Sequence, residues 1–305
     1  MKDFKVIIVL LVLLANYSMY SQQDSQFTQY MYNTISINPA YAGTRNVLSI
    51  NALHRSQWQG IPGAPITQTL SINTPMGERT GLGLSVYREE IGPSVETSFA
   101  ADLSYILPLN DYDLNFAFGL KGGLHIIDVD YSKLNIKNPI DEPFQNNLRE
   151  TSPVVGVGGY LYTEKWYVGL SVPNLLYTKH YKNSSTSNVA KTQHFYLTGG
   201  YVFELTDNLK FKPATLFKVT NGAPLVVDLS TNFLINEKVT LGASYRLSAA
   251  ISALVGVQIS NSLFMGYAYD YDTTDIGNYN SGSHEVFLRY EFFKKVQGKV
   301  SPRFF

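Results

Sequence analysis

Pro224-Leu-Val-Val-Asp-Leu-Ser-Thr-Asn-Phe-Leu-Ile-Asn236 is the stretch that decides the fold. Leu225, Val227, Leu229, Phe233 and Ile235 are apolar at alternate positions, with Thr231 between them. Asp228, Ser230, Asn232 and Asn236 take the other parity. Successive side chains of a strand point to opposite faces, so a period of two builds one apolar face and one wet face. The pattern recurs along the chain. Leu82, Leu84 and Val86 alternate with Gly81, Gly83, Ser85 and Tyr87; Phe99, Ala101, Leu103, Tyr105 and Leu107 with Ser98, Ala100, Asp102 and Ser104. Leu114, Phe116, Phe118 and Leu120 alternate with Asn115, Ala117, Gly119 and Lys121; Val286, Leu288, Tyr290 and Phe292 with Glu285, Phe287, Arg289 and Glu291.

Segments of about 10 residues with this alternation are the signature of a transmembrane antiparallel β-barrel. A soluble β-sandwich alternates too, but over shorter strands and with more charge on its wet face. Here the wet face is Gly, Ser, Asn and a few charges, which suits a crowded barrel interior. The pattern predicts an all-β chain of about fourteen strands, near 46–54, 65–74, 80–89, 95–107, 112–128, 153–163, 166–173, 192–205, 209–219, 224–236, 238–247, 252–260, 263–271 and 283–293. Connections test the count. The even-numbered ones are short, and the long ones (54–64, 129–152, 174–191 and 272–282) are all odd-numbered. Short turns on the periplasmic side and long loops outside are what an even-stranded barrel shows. Tyr105, Tyr160, Tyr162, Trp166, Tyr167, Tyr201, Tyr269 and Tyr271 lie near strand ends and are read as membrane-interface girdles, alongside the ordinary strand preference of Tyr.

Composition agrees. Of 305 residues, 16% are charged, against about 25% in soluble domains. Tyr and Phe number 22 and 17, there is no Cys, and the net charge is zero. No disulfide-stapled domain and no lipidated Cys is available, and nothing in the charge points to nucleic acid. Residues 1–21 read as a signal peptide: Lys2 and Lys5, then an apolar run from Val6 to Ala15, within the usual length of about 7–15. Cleavage is placed after Ser21, although Met19 is a poor −3 residue. That run is too short to span a bilayer as a helix, which needs roughly 20 apolar residues.

The chain then divides into 22–45, an N-terminal periplasmic or plug-like segment; 46–293, the barrel; and 294–305, a basic periplasmic tail. In the first, Phe27, Tyr30, Met31 and Tyr32 are too apolar for a free tail, and Asn38-Pro39 and Gly43 are turn signals. Its place is the barrel's periplasmic mouth, its lumen or a partner. The tail carries Lys294, Lys295, Lys299 and Arg303 and ends Phe304-Phe305. Candidate partner contacts are Phe27, Tyr30, Tyr32, Asn38, Pro39, Tyr41, Arg303, Phe304 and Phe305. Both termini are expected in the periplasm. The inward charges Asp102, Lys121, Asp228, Arg246, Asp270, Arg289 and Glu291 form a candidate lumen network, read as packing rather than ion selectivity because buried charges persist when paired.

Catalytic chemistry has no motif here. His54, His125, His180, His194 and His284 lack metal-site spacing on a helix, and no nucleophile elbow or phosphate loop appears. Asp270-Tyr-Asp272-Thr-Thr-Asp275 has carboxylates for Ca²⁺ but reads better as an acidic external loop. The expectation is no enzyme, no cofactor and no metal.

Several blocks carry a resemblance. They are Gln26-Phe-Thr-Gln-Tyr-Met-Tyr-Asn33 with Ile37-Asn-Pro-Ala-Tyr-Ala-Gly43; His54-Arg-Ser-Gln-Trp58 with Gly63-Ala-Pro65; Gly81-Leu-Gly-Leu-Ser-Val86 with Ile91-Gly-Pro93; Gly266-Tyr-Ala-Tyr-Asp-Tyr271; Asn280-Ser-Gly-Ser-His-Glu285; and Ser301-Pro-Arg-Phe-Phe305. In order and spacing they resemble the PorP/SprF family of type IX secretion outer-membrane proteins of Bacteroidota, over nearly the whole mature chain. The resemblance implies a non-enzymatic outer-membrane part in the type IX secretion and gliding apparatus. That part is secretion or surface anchoring of proteins with type IX C-terminal sorting domains. The implied partners are machinery components, a secreted adhesin's C-terminal domain, or both, together with outer-membrane lipid. A porin or solute transporter is the alternative; it predicts an open polar lumen.

Overall fold

The computed structural model describes residues 27–109, 113–134, 147–176, 178–179, 190–191 and 193–293. Fourteen strands make one ring. They are β1 (Leu48–Ser56), β2 (Ile66–Met76), β3 (Thr80–Ile91), β4 (Ser94–Pro108), β5 (Asn115–Val129), β6 (Leu148–Tyr162) and β7 (Trp166–Val172). Next come β8 (His194–Tyr201, resumed as Phe203–Thr206 past Val202), β9 (Leu209–Thr220), β10 (Val226–Ile235) and β11 (Val239–Arg246). The last are β12 (Ala250–Gln258), β13 (Leu263–Asp272) and β14 (Ser283–Phe292). Each strand pairs antiparallel with its sequence neighbours, and β1 pairs with β14 from Leu48↔Phe292 to Ser56↔His284. That pairing closes the sheet into a ring, in which neighbouring strands meet one another's N–H and C=O groups.

Turn chemistry supports the register. Between β10 and β11, Asn236 and Glu237 both take positive φ, 51° and 55°, and Lys238 N–H donates to Ile235 O at 3.0 Å. This is the tight primed turn whose twist suits a hairpin. The sequence expectation begins the sixth strand at Pro153, but β6 runs through it, pairing Pro153 with Leu124. The added residues 148–152, with Arg149 and Glu150 among them, prolong the wall at the long-loop end. Pairs such as Arg149–Asp128 (3.5 Å) and Arg88–Glu90 (3.1 Å) lie exposed there and contribute little stability.

The barrel is inside out relative to a soluble domain. Leu70, Leu84, Leu103, Leu120, Leu170 and Leu241 are exposed on its exterior. Ser71, Asn73, Asp102, Ser104, Lys121, Asn232 and Thr240 are buried within. An apolar band of this extent is what a lipid-facing wall requires. Among the described residues no helix is long and apolar enough to cross a membrane. At the short-turn end the exterior carries a ring ladder: Tyr201–Phe203 (4.5 Å), Phe203–Phe211 (6.1 Å), Phe211–Phe233 (4.9 Å) and Tyr290–Phe292 (4.7 Å). Three of the expected girdle residues are not part of any girdle. Tyr160, Tyr162 and Tyr167 are buried in the lumen. Parity along the strand, not nearness to its end, selects the face.

The lumen is occupied by the chain itself. Residues 27–45 thread through it, with a one-turn helix α1 (Thr34–Ile37) and a 3₁₀ turn (Pro39–Tyr41). Of the three sites open to this segment, its described residues take the lumen. The even strand number brings the two ends of the barrel, Arg45 and Phe293, to one mouth. It does not bring the start of the plug there, because Thr28 sits among Arg55, Asp270 and Glu285 in the long-loop half. The described part of the segment, 27–45, is thus the plug-like one of the expected alternatives. Residues 1–26 and 294–305 lie outside the described set.

Candidate functional site

The plugged lumen is where this chain's polar and charged groups converge. Plug backbone must satisfy its N–H and C=O groups away from water, and wall side chains do this. Glu285 accepts from the backbone N–H of Thr28 (3.1 Å) and Gln29 (2.8 Å). Asn33 Nδ2 donates to Thr69 Oγ1 (3.0 Å), Lys121 Nζ to Ile35 O (3.4 Å) and Ser171 Oγ to Ile37 O (2.7 Å). Asn38 Nδ2 donates to Gly159 O (3.1 Å), while Asn38 Oδ1 accepts from Ala40 N–H (3.0 Å) and starts the 3₁₀ turn. Ser104 Oγ donates to Ala42 O (2.6 Å). At two wall positions the approach is so close that only glycine fits. A Cβ on Gly119 would enter the backbone of Ala40, and one on Gly81 the carbonyl of Ala42.

Rings fill the remaining space. Tyr32 stacks on Phe264 (5.0 Å) and tilts on Phe287 (5.0 Å). Tyr41 meets Tyr160 edge-on at 5.6 Å, and Tyr160 stacks on Tyr167 at 5.5 Å. Tyr30, Tyr32, Asn38, Pro39 and Tyr41 are therefore buried against the barrel's own wall, and Phe27 is partly buried on the same cluster. All six pack on the wall, and Phe27 and Tyr30 also border the cavity in the long-loop half. Arg303, Phe304 and Phe305 lie outside the described residues.

The expected lumen charges form separate pairs rather than one ladder. Asp102 pairs with Lys121 (3.0 Å) and Asp228 with Arg246 (3.1 Å). Asp270 meets Arg55 at 2.7 Å, and Arg55 also reaches Glu285 at 3.1 Å. Glu291 lies 3.6 Å from Arg289 and is shared with Arg45, whose Nε donates to it. Arg55, Glu285 and Arg45 escaped the sequence reading. Glu285 already shares the inward parity of Arg289 and Glu291 on β14, and extending the alternation to β1, where Arg55 shares a face with Ser49 and Asn51, would have found its partner. Arg45 precedes the first strand and carries no such signal.

Two vestibules flank the plug and share no lining residue. One, of about 1260 Å³ and open to solvent, is lined by Tyr30, Ser36, Lys121, His194, Asp228 and Arg246 in the long-loop half. The other, of about 1560 Å³, opens at the short-turn end between Arg45, Lys210, Lys238, Phe264, Arg289 and Glu291. The histidines are dispersed: His125 faces Glu96 (3.3 Å), His194 meets Thr220 (2.6 Å) and His284 meets Tyr267 (2.7 Å). His180 is not among the described residues. No group of three His, Cys, Asp or Glu side chains able to hold a metal is found among the described residues.

A closed antiparallel ring with an apolar exterior, a polar interior and long loops at one end defines an outer-membrane β-barrel, here with its lumen filled by its own N-terminal segment. Residues 19–290 match the family model of the type IX secretion system membrane protein PorP/SprF. The chain belongs to that family. A search of curated protein sequences finds no match. Among solved structures it is similar to the Acinetobacter baumannii outer membrane protein Omp33 (9% identity, 82% of this chain and 100% of that one, TM-score 0.49). It is also similar to a Pseudomonas aeruginosa FadL homologue (12%, 85% and 94%, 0.46) and to the CymD monoaromatic hydrocarbon channel (11%, 91% and 96%, 0.49). At these identities the likeness concerns the fold alone.

Proposed function

We propose that this barrel supports secretion or surface anchoring of proteins bearing type IX C-terminal sorting domains, and that it does not conduct solutes. Family membership supports the pathway. The observation that carries the non-pore reading is the plug, tied along its length to wall side chains and separating two vestibules. A solute channel needs a continuous wet path, and here rings and backbone occupy it. The partners in this reading are machinery components, a secreted adhesin's sorting domain, or both. The short-turn mouth faces the periplasm, following the usual disposition of turns and loops. The basic tail 294–305 is the proposed contact, with the external blocks 54–65 and 272–284 as the rival surface.

Deleting the gene should leave an adhesin inside the cell without changing permeability to small solutes. Normal display in the deletion strain sinks the anchoring reading. Removing residues 299–305 should spare barrel assembly and impair secretion; loss of the barrel itself would make the tail an assembly signal instead.

A further inference from the structure

The short-turn vestibule holds an imbalance of charge that the plug does not resolve. Arg45 and Arg289 are each about 5% exposed and share a single carboxylate, Glu291. Arg289 Nε and Nη1 and Arg45 Nη1 find no hydrogen-bond acceptor among the described residues. Leaving a buried charged donor without a partner is costly, more so than for a neutral one. Arg289 also lies over the Phe264 ring at 5.1 Å and the Tyr32 ring at 5.8 Å, which favours the cation but supplies no acceptor. The cavity these groups line is open at the mouth, and Lys210 and Lys238 stand in its rim with Glu237. Lys210 is engaged with Glu237 at 3.0 Å.

We propose that this vestibule is a binding site for a monocarboxylate, held between Arg45 and Arg289. Two guanidiniums and one carboxylate leave one positive charge, which a singly charged oxyanion neutralises. A phosphate dianion would overshoot and leave net negative charge in the same buried place. A second carboxylate completes a ring of two cations and two anions, with charge-assisted N–H···O bonds to the idle donors. Phe264, Leu234 and Phe293 line the same cavity and give an apolar group carried by the acid somewhere to rest. Lys238 at the rim draws anions inward.

The test is calorimetric titration of the full-length protein in detergent with N-acetylphenylalanine, its amide, acetate and inorganic phosphate. The free acid should bind, and the amide at least tenfold more weakly. Acetate matching the acid would mark the source as small free acids; a clear preference for N-acetylphenylalanine would mark it as a C-terminal residue. Arg289→Gln should weaken the acid at least tenfold. Glu291→Gln should strengthen it severalfold, because the competing carboxylate is gone; damage to the fold would weaken it instead. Lys238→Gln, at the exposed rim, should lower affinity about two- to threefold and reduce its salt dependence. Equal binding of acid and amide, no binding of the acid, phosphate exceeding it, or an unchanged Arg289→Gln would each overturn the site.

Discussion

Replacing Arg55 with Gln should loosen the plug rather than the barrel. Arg55 bridges Asp270 (2.7 Å) and Glu285 (3.1 Å), and all three are nearly inaccessible. Removing one member of a buried ionic group costs about 3–5 kcal/mol, because the charges left behind stay desolvated. Here two carboxylates would be left, still receiving the N–H groups of Thr28 and Gln29 and the hydroxyl of Thr28. Those donors place the expected cost toward the lower end, at about 3 kcal/mol. The cost falls on docking, since withdrawing the plug readmits water to both carboxylates. At 1.4 kcal/mol per factor of ten, the undocked population rises by roughly 100-fold.

The chain contains no cysteine, so one introduced thiol reports alone. Thr34 is buried in the plug. In a Thr34→Cys background, the rate of maleimide labelling tracks the undocked fraction when reclosing outpaces labelling. Arg55→Gln should raise that rate by about two orders of magnitude. Adding Glu285→Gln should recover part of it by removing one stranded charge. A rate within threefold of the parent, in a barrel that still resists unfolding in cold detergent, would refute the clamp.

Other consequences are as direct. The protein should be silent in planar bilayers, and removal of residues 27–44 should open steps of conductance; an open parent channel would restore the porin reading. Gly119→Leu should give intermittent openings, because its side chain needs the space of the Ala40 backbone and overpacking costs about 1–3 kcal/mol or more. Leu120→Arg on the exterior should reduce folding stability in lipid vesicles by roughly 2–4 kcal/mol near the midplane. Asp102→Asn strands Lys121 and should destabilise by about 3–5 kcal/mol in urea titration, whereas Asp102→Leu with Lys121→Met should recover most of the loss.

The strands were readable because lipid enforces a strict rule on one face. Leu225, Leu229 and Phe233 had to be apolar, and the same demand recurs in every strand. Strand ends were less readable, since the wall above the lipid has no such rule: β6 starts at Leu148 among charges. The residues of the lumen pairs could be named from parity, as with Asp228 and Arg246, because cross-strand register makes them neighbours. The plug could not be placed. Tyr30, Tyr32 and Tyr41 declare in the sequence that they need burial, but not where. The mark of their destination lies elsewhere, in Gly81 and Gly119, where inward positions give up their side chains. Counting strands likewise orients the barrel's ends but says nothing of a segment that enters the ring from within.

The last strand holds both ends of the plug. Glu285 of β14 binds Thr28 and Gln29, and Glu291 of β14 binds Arg45, across 257, 256 and 246 residues of chain. β14 is also the strand that closes the ring on β1. A slip of β14 by two residues would keep every apolar side chain facing lipid, so the membrane would not detect it. It would move both carboxylates along the wall by about 7 Å and release the plug at both ends. The plug thus serves as a gauge of closure: it docks only in a barrel sealed in the correct register, and a mis-sealed one is left with an unfilled bore.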